Sequence, residues 1–435
     1  MAASGADVPG VMSRGLGRDR GFRRFWAGHT VSQFGDRITE LALPLIAVES
    51  LDATAGQIAW LTALIWTPNL LAIVLGAWVD QRPDKRRLMI VADVLRAAFL
   101  LSLPLAWLLD AVTLIQLYAV AVLAGAAGVL FNTAYPPFFV RLVPREAYVA
   151  ANSRLSASRS ASQVAGPALG GVLVQAVTAP VAVVVDALTF LASALLIGRV
   201  PVDEEPRGGA PDGPGVTLLR RAREGLAFVV RHPVLRATLG CAATVNFFTF
   251  VAGTGLIVLY ARRDLALPPG TIGLALGIGA TGALLGALCA PAVSRRLGVG
   301  RTIVVGAVLF PAPLALAATA GGPLWLRAGT LAGAEFLSGF GVMLFDVNLN
   351  SLQAGVIPDA LRSRVAGAYS TINYGIRPLG ALTGGALATT FGLRPTLIAA
   401  ALGGALSALW LLPSPVPSLR TVTGDDAVAE ERMRP

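Results

Sequence analysis

The chain has 435 residues, of which 55% are hydrophobic and only 14% charged, and its mean hydropathy is +0.68. Ordinary soluble domains carry roughly a quarter charged residues, and single cores stop growing near ~250–300 residues, so a soluble fold could not hide this much apolar surface. The net charge of +10 does not point to nucleic acid, because almost all the basic residues, every one arginine except Lys85, sit in short segments between apolar blocks rather than in an aromatic-interleaved patch.

The apolar residues fall in blocks of roughly twenty, long enough to cross a ~30 Å hydrocarbon core as helices. The fold class is therefore all-α and polytopic, with twelve transmembrane helices embedded in a lipid bilayer. Cys241 and Cys289 lie inside apolar blocks and read as small core residues; with only His29 and His232 besides, no metal site and no cofactor is expected.

In chain order, residues 1–21 form a polar, arginine-bearing tail ahead of an apolar block too long for a signal-peptide core. The spans are read at 22–49, 56–80, 87–109, 111–135, 150–176 and 179–199, then at 235–261, 270–294, 301–320, 323–350, 363–390 and 394–413. Span 5 opens with Ser153, Arg154, Ser156, Ser158, Arg159, Ser160 and Ser162, a polarity suited to a bundle interior or a wet cavity. Residues 200–234 form a linker, rich in Pro, Gly and acids up to Gly215. An amphipathic segment follows, with Leu218, Leu219, Ala222, Leu226, Val229 and Val230 on one face and Arg220, Arg221 and Arg223 around the other. It suits either an anionic lipid surface or the ends of the bundles. Residues 414–435 are a polar tail. Arginines crowd the tails, the linker and alternate loops, whereas the opposite side carries only Arg262, Arg263 and Arg394, so both termini are expected in the cytoplasm of a cell-membrane protein.

Displacing the chain by 214 residues aligns it with itself. Thr30 and Val31 meet Thr244 and Val245, and Phe34 meets Phe248. Arg82 and Arg87 meet Arg296 and Arg301, Phe131 meets Phe345, and Pro144 meets Pro358. Gly166, Gly170 and Gly171 meet Gly380, Gly384 and Gly385. Matches of Phe, Pro and Arg at one offset are not compositional accidents. The chain therefore divides into two six-helix repeats, 22–199 and 235–413, an arrangement associated with alternating access around a midplane site.

The run Gly76-Ala-Trp-Val-Asp80-Gln-Arg82-Pro-Asp-Lys-Arg86-Arg87 resembles the signature between helices 2 and 3 of the major facilitator superfamily. Gly166-Pro167-Ala-Leu-Gly170-Gly171 resembles the motif of its antiporter branches. Leu142 to Glu146, with Ala151-Asn152-Ser153, is similar to the branch of enterobactin-type siderophore exporters and macrolide-efflux proteins. The resemblance covers nearly the full length. It implies a monomeric transporter of a small-molecule substrate, coupled to protons. It also implies a latch at the cytoplasmic mouth built on Gly76, Asp80, Arg82, Arg86 and Arg87, with Asp93 and Arg96 just inside, and a span-5 glycine motif that packs on the opposite bundle. The second repeat has Ser294 where the latch Asp would stand, and span 4 lacks the arginine common in drug–proton antiporters.

An ionisable residue inside a span is a functional candidate because it is costly unless paired or wet. Asp36, Arg37 and Glu40 cluster in span 1, Asp36 about 16 Å up from Phe25 at ~1.5 Å per residue. Arg37 can reach Glu40, so the group is either a proton-coupling pair or a permanent ionic lock. Glu335 is the clearest mid-span carboxyl of the second repeat, and it either couples protons or pairs with Arg377. Gln33, Asn246, Phe247, Phe250 and Arg377 are candidates to line a substrate cavity, although clustered aromatics also serve plain packing. Asp186 is placed near the wet outer side.

The leading expectation is proton-coupled export of a small amphipathic compound: a drug, antibiotic or siderophore. A facilitator or symporter that imports a solute shares the fold. A non-transporting sensor or scaffold would not need charges at mid-bilayer. An embedded enzyme would need a nucleophile–base or metal constellation, and none is evident; nor is there a P-loop for ATP.

Overall fold

A computed structural model describes residues 19–201, 226–358 and 361–421. Among these residues the fold is helical, with no strand. Span 1 is α1 (Arg20–Ser50), and span 2 is α2 (Ala55–Trp66), a 3₁₀ turn (Thr67–Leu71) and α3 (Ala72–Asp80). Spans 3 to 6 are α4 (Lys85–Leu108), α5 (Leu114–Leu142), α6 (Tyr148–Val177) and α7 (Ala179–Gly198). Span 7 is α8 (Pro233–Ala252) with α9 (Thr254–Arg263), span 8 is α10 (Pro269–Leu297), and span 9 is α11 (Val299–Leu309) with α12 (Pro313–Ala318). Spans 10 to 12 are α13 (Leu324–Val356), α14 (Arg362–Phe391) and α15 (Leu393–Ala405), the last continued by a 3₁₀ turn (Leu406–Trp410). Most of the anticipated amphipathic segment lies outside the described residues; of its apolar face, Val229 is buried and Val230 half exposed.

Local chemistry sets the ends. The Asp19 carboxylate caps α1 by accepting the Phe22 N–H at 2.8 Å, and Thr54 and Gln57 close a capping box on α2. Three spans expected to be continuous are broken. Span 2 passes through Pro68, span 7 turns at Gly253 with φ +47°, and span 9 meets Pro311 and Pro313. Span 4 does the opposite. Expected to stop at 135, it runs through Pro136 and Pro137 to Leu142, because Phe138 and Phe139 bury in the core one turn further on.

The repeat is visible in the backbone. Tyr148–Val177 and Arg362–Phe391 are the same helix displaced by 214 residues, and the turns after them, Thr178 (φ +80°) and Gly392 (φ +91°), share a conformation. Asp52 (φ 46°) and Ala266 (φ 51°) form another such pair.

Two compact units result: the described residues of Met1–Leu51 with Leu71–Gly208, and those of Asp52–Leu70 with Gly209–Pro435. The first packs α1 against α6 and α7, and α4 against α5 and α7. Phe22, Phe25, Met89, Phe131 and Phe138 fill its core. The second packs α8 against α14 and α15, and α10 and α11 against α13. Its core holds Cys241, Val245, Ile303, Phe345 and Leu352. Helix α2 belongs to this second unit, against α9 and α14.

Eight helical stretches among the described residues are long and apolar enough to cross a membrane. Leucines such as Leu105, Leu188, Leu195, Leu288 and Leu402 stand exposed on them, as a lipid-facing surface requires. The remaining crossings are the polar or broken ones, span 5 among them.

Candidate functional site

The ionisable residues of the first unit form one cluster where α1, α4 and α7 meet. Asp36 receives a hydrogen bond from Arg96 Nη2, and the pair is 35% and 16% exposed respectively. The Arg96 guanidinium also lies 3.8 Å from the Phe190 ring centroid, a cation–π contact of about 0.5–2 kcal/mol depending on desolvation. Gly128 on α5 faces the guanidinium at ordinary contact distance. Arg96, expected just inside the cytoplasmic mouth, thus has Asp36 of α1 as its ion-pair partner.

Glu40 pairs with Arg37 at 2.6 Å on the more exposed side of α1, so Asp36 and Glu40 take different arginines instead of sharing one. Asp186 is fully buried, not wet. The Thr39 hydroxyl donates to its Oδ2, and the Thr189 hydroxyl to its Oδ1 at 3.1 Å. Asp93 is 0% exposed and neither carboxylate oxygen accepts a hydrogen bond, although the Ser193 hydroxyl is its polar neighbour. α1 approaches α7 this closely because position 35 is glycine; a Cβ there would overlap the Asp186 carboxylate and the Thr189 hydroxyl.

Sequence reasoning passed over His29. Its ring stacks near-parallel on Phe25, Phe131 and Tyr135, with centroids 5.3 to 5.8 Å away. The Gln33 amide nitrogen donates to its Nε2 at 2.6 Å, while the buried Gln33 Oε1 has no hydrogen-bond partner. The spacing of Phe25, His29 and Gln33, each four apart, was the available signal.

Two of the antiporter-like glycines of α6, Gly166 and Gly170, pack on α1 of the same unit. A Cβ at Gly166 would lie 2.5 Å from Arg37 Cβ and Cγ, and one at Gly170 would lie 3.2 Å from Ile38 Cα. Gly171 is buried and Pro167 half-buried beside them. The second unit repeats the device, with Gly380 and Gly384 of α14 against the carbonyls of Phe247 and Val251.

Around the signature motif, Arg86 donates to the Val200 carbonyl at 2.7 Å, Arg82 covers Trp78 at 4.8 Å, and Arg87 is exposed. Gly76 faces Thr133 of α5. The Asp80 side chain lies outside the described groups.

In the second unit Arg377 and Phe250 come together, and Trp66 and Tyr374 join them. The guanidinium carbon lies 4.3 Å from the Trp66 ring, 4.6 Å from Tyr374 and 5.0 Å from Phe250. Glu335 is not its ion-pair partner; it packs where α10 meets α13, its Cβ against Gly279. Asn246 donates to the Ala242 carbonyl at 3.0 Å, and Phe247 meets Phe248 edge-on at 5.2 Å.

Buried charge on membrane-crossing helices, duplicated in two six-span repeats, is transporter architecture, and the comparisons with known proteins agree. The family model of the Major Facilitator Superfamily matches residues 25–377 and 239–432. The chain is 28% identical over 392 residues to the multidrug efflux pump Tap of Mycolicibacterium fortuitum, covering 85% of this chain and 89% of that one. It is 26% identical over 381 residues to the MFS-type transporter YfiS of Bacillus subtilis, covering 86% and 88%. In fold it is similar to a bacterial homologue of the iron transporter ferroportin in its inward-facing state (TM-score 0.71, 19% identity, 90% and 99% covered). A D-xylose-proton symporter is also similar (TM-score 0.66, 15% identity, 91% and 98% covered). All four bear the names of transporters, efflux pumps or transporter homologues, and this multi-pass membrane protein, not an enzyme, belongs to the Major Facilitator Superfamily.

Proposed function

We propose that the protein exports a small amphipathic compound (a drug, antibiotic or siderophore) in exchange for protons, by alternating access. The observation that carries this reading is the charge imbalance in the first unit. Three carboxyls, Asp36, Asp93 and Asp186, interact with one guanidinium, that of Arg96. In a low-dielectric interior two surplus negative charges are not tolerated, and proton uptake relieves them. Arg96 pairs with Asp36 and also interacts with the charges of Asp93 and Asp186, so a change in the number of protons held by the cluster would shift the guanidinium among the three carboxyls. That shift is a proton-dependent element within one unit.

Arg37 and Glu40 form a second, more exposed pair that tunes the charge of α1, and Glu335 is the carboxyl at depth in the other repeat. Gln33, Asn246, Phe247, Phe250 and Arg377 supply the mid-span groups for substrate. Gly76, Asp80, Arg82, Arg86 and Arg87 form the cytoplasmic latch. The protein works as a monomer with both termini in the cytoplasm. Similarity to a multidrug efflux pump supports export, whereas the likeness to a symporter is one of fold only.

The test uses inside-out vesicles energised by respiration, with a fluorescent pH probe in the lumen. Addition of antibiotics, dyes or siderophores should release lumenal protons in the wild type and not in Asp36→Asn. Release that persists undiminished in Asp36→Asn rejects the coupling role. Uptake of a solute together with protons, in the cytoplasm-facing direction, rejects export.

A further inference from the structure

We propose that Arg377, Trp66, Phe250 and Tyr374 form a receptor for the anionic group of a flat aromatic substrate, so the transported compound is an aromatic carboxylate, sulfonate or zwitterion rather than a simple cation. The inference rests on the transport reading above and names the substrate class of that site.

Arg377 is at the middle of α14, far from either helix end. The rings around its guanidinium come from three helices, α2, α8 and α14. They also touch one another: Trp66 meets Phe250 edge-on at 5.3 Å and stacks with Tyr374 at 6.1 Å. Ring faces attract the flat faces of a guanidinium and leave its rim of N–H donors free. Here the rim is unclaimed. Nε has no hydrogen-bond partner, and no described carboxylate lies within ion-pair distance. Asp346 on α13 is near enough for its charge to interact with that of Arg377, but it makes no ion pair.

Other arginines of the chain differ. Arg96 and Arg37 have carboxylates, Arg263 has Asp52, and Arg327 and Arg394 donate to the carbonyls of Leu265, Ala318 and Ala320. Displaced by 214 residues, Arg377, Tyr374 and Phe250 correspond to Gln163, Ser160 and Asp36, so the first repeat has no such box. A guanidinium rim matches a carboxylate or sulfonate in a planar two-bond geometry, while the ligand's own ring joins the aromatic walls. A cationic ligand would instead meet the positive charge of the guanidinium.

The experiment measures binding of 1-naphthoate and of its neutral analogue 1-naphthamide to the purified full chain by calorimetry. It includes Arg377→Gln, Arg377→Lys and Trp66→Leu, with melting curves recorded for each. In the wild type, naphthoate should bind at least tenfold tighter than naphthamide. Arg377→Gln should bring naphthoate down to the amide level and leave the amide unchanged, Arg377→Lys should keep part of the preference, and Trp66→Leu should weaken both. Equal wild-type affinities overturn the proposal, a comparison that needs no variant to fold. So does a preference that survives in Arg377→Gln, or failure of naphthoate to bind at millimolar concentration. The vesicle assay separates this outcome from the transport reading. Anion-selective binding without proton release removes antiport and keeps the receptor; proton release without anion selectivity does the reverse.

Discussion

Removing Arg96 should destabilise the protein more than removing Asp36, and removing both should restore part of the loss. Exposed ion pairs contribute about 0–1 kcal/mol, and breaking a buried pair costs about 3–5 kcal/mol. With side chains 16% and 35% exposed, the Arg96–Asp36 pair falls between these limits. Arg96→Met leaves three carboxyls facing one another and loses the Phe190 cation–π contact, so we expect a loss of about 2–3 kcal/mol. Asp36→Asn retains an acceptor for Arg96 and leaves Asp93 and Asp186 as counter-charges, so its cost should be about 1 kcal/mol. In the double variant the uncompensated carboxyls fall from the three of Arg96→Met to two, so a coupling of about 1–2 kcal/mol between the two substitutions should appear. Scaled to a unit of this size, Arg96→Met should lower the apparent melting midpoint by about 5–10 °C. Unfolding of membrane proteins is seldom reversible, so the assay is fluorescence-detected thermal aggregation at a fixed scan rate. An Arg96→Met protein as stable as the wild type, or an Asp36→Asn protein less stable than Arg96→Met, would refute the account of the cluster.

Gly35→Ala should cost about 1–3 kcal/mol, because the added methyl overlaps the Asp186 carboxylate and the Thr189 hydroxyl; the same thermal assay checks it, and an unchanged midpoint removes the claim of close α1–α7 approach. Thr178→Gly should stabilise the chain by up to about 1 kcal/mol, since Thr178 holds φ +80°, and Gly392→Thr should destabilise it by a similar amount. Thr54→Ala should cost about 1 kcal/mol through loss of the α2 capping box, seen as faster hydrogen exchange at the start of α2. Cys241 is buried and Cys289 only half-buried, so maleimide in detergent should label Cys289 first; equal rates would contradict the packing of α8.

The helices and their pairing into repeats were legible because apolar length and a constant offset are properties of the chain itself. Tyr148–Val177 and Arg362–Phe391 fall into register at the same 214-residue offset that the Phe, Pro and Arg matches set elsewhere in the chain. The breaks were less legible. Gly253 and Pro68 interrupt spans, while Pro136 and Pro137 do not, and what decides is whether the next apolar residues find a core. In the site, Arg37 and Glu40 could be paired from their spacing, since both stand on one helix. Arg96 could not be assigned to Asp36, nor Asp186 to Thr39, because these contacts join residues 60 and 147 apart whose meeting depends on helix rotation. Trp66 was invisible as a wall around Arg377 for the same reason.

The glycines between α10 and α13 bear on how force travels in the second unit. A Cβ at Gly282 would overlap the Phe336 carbonyl oxygen, one at Gly286 would lie 2.5 Å from that of Phe340, and one at Gly339 would overlap the Gly279 carbonyl. A glycine-rich helix alone is soft, but two helices in backbone contact along several turns behave as one stiff beam. The two helices of this pair therefore move together, and the many glycines of the sequence serve here as a means of rigidity.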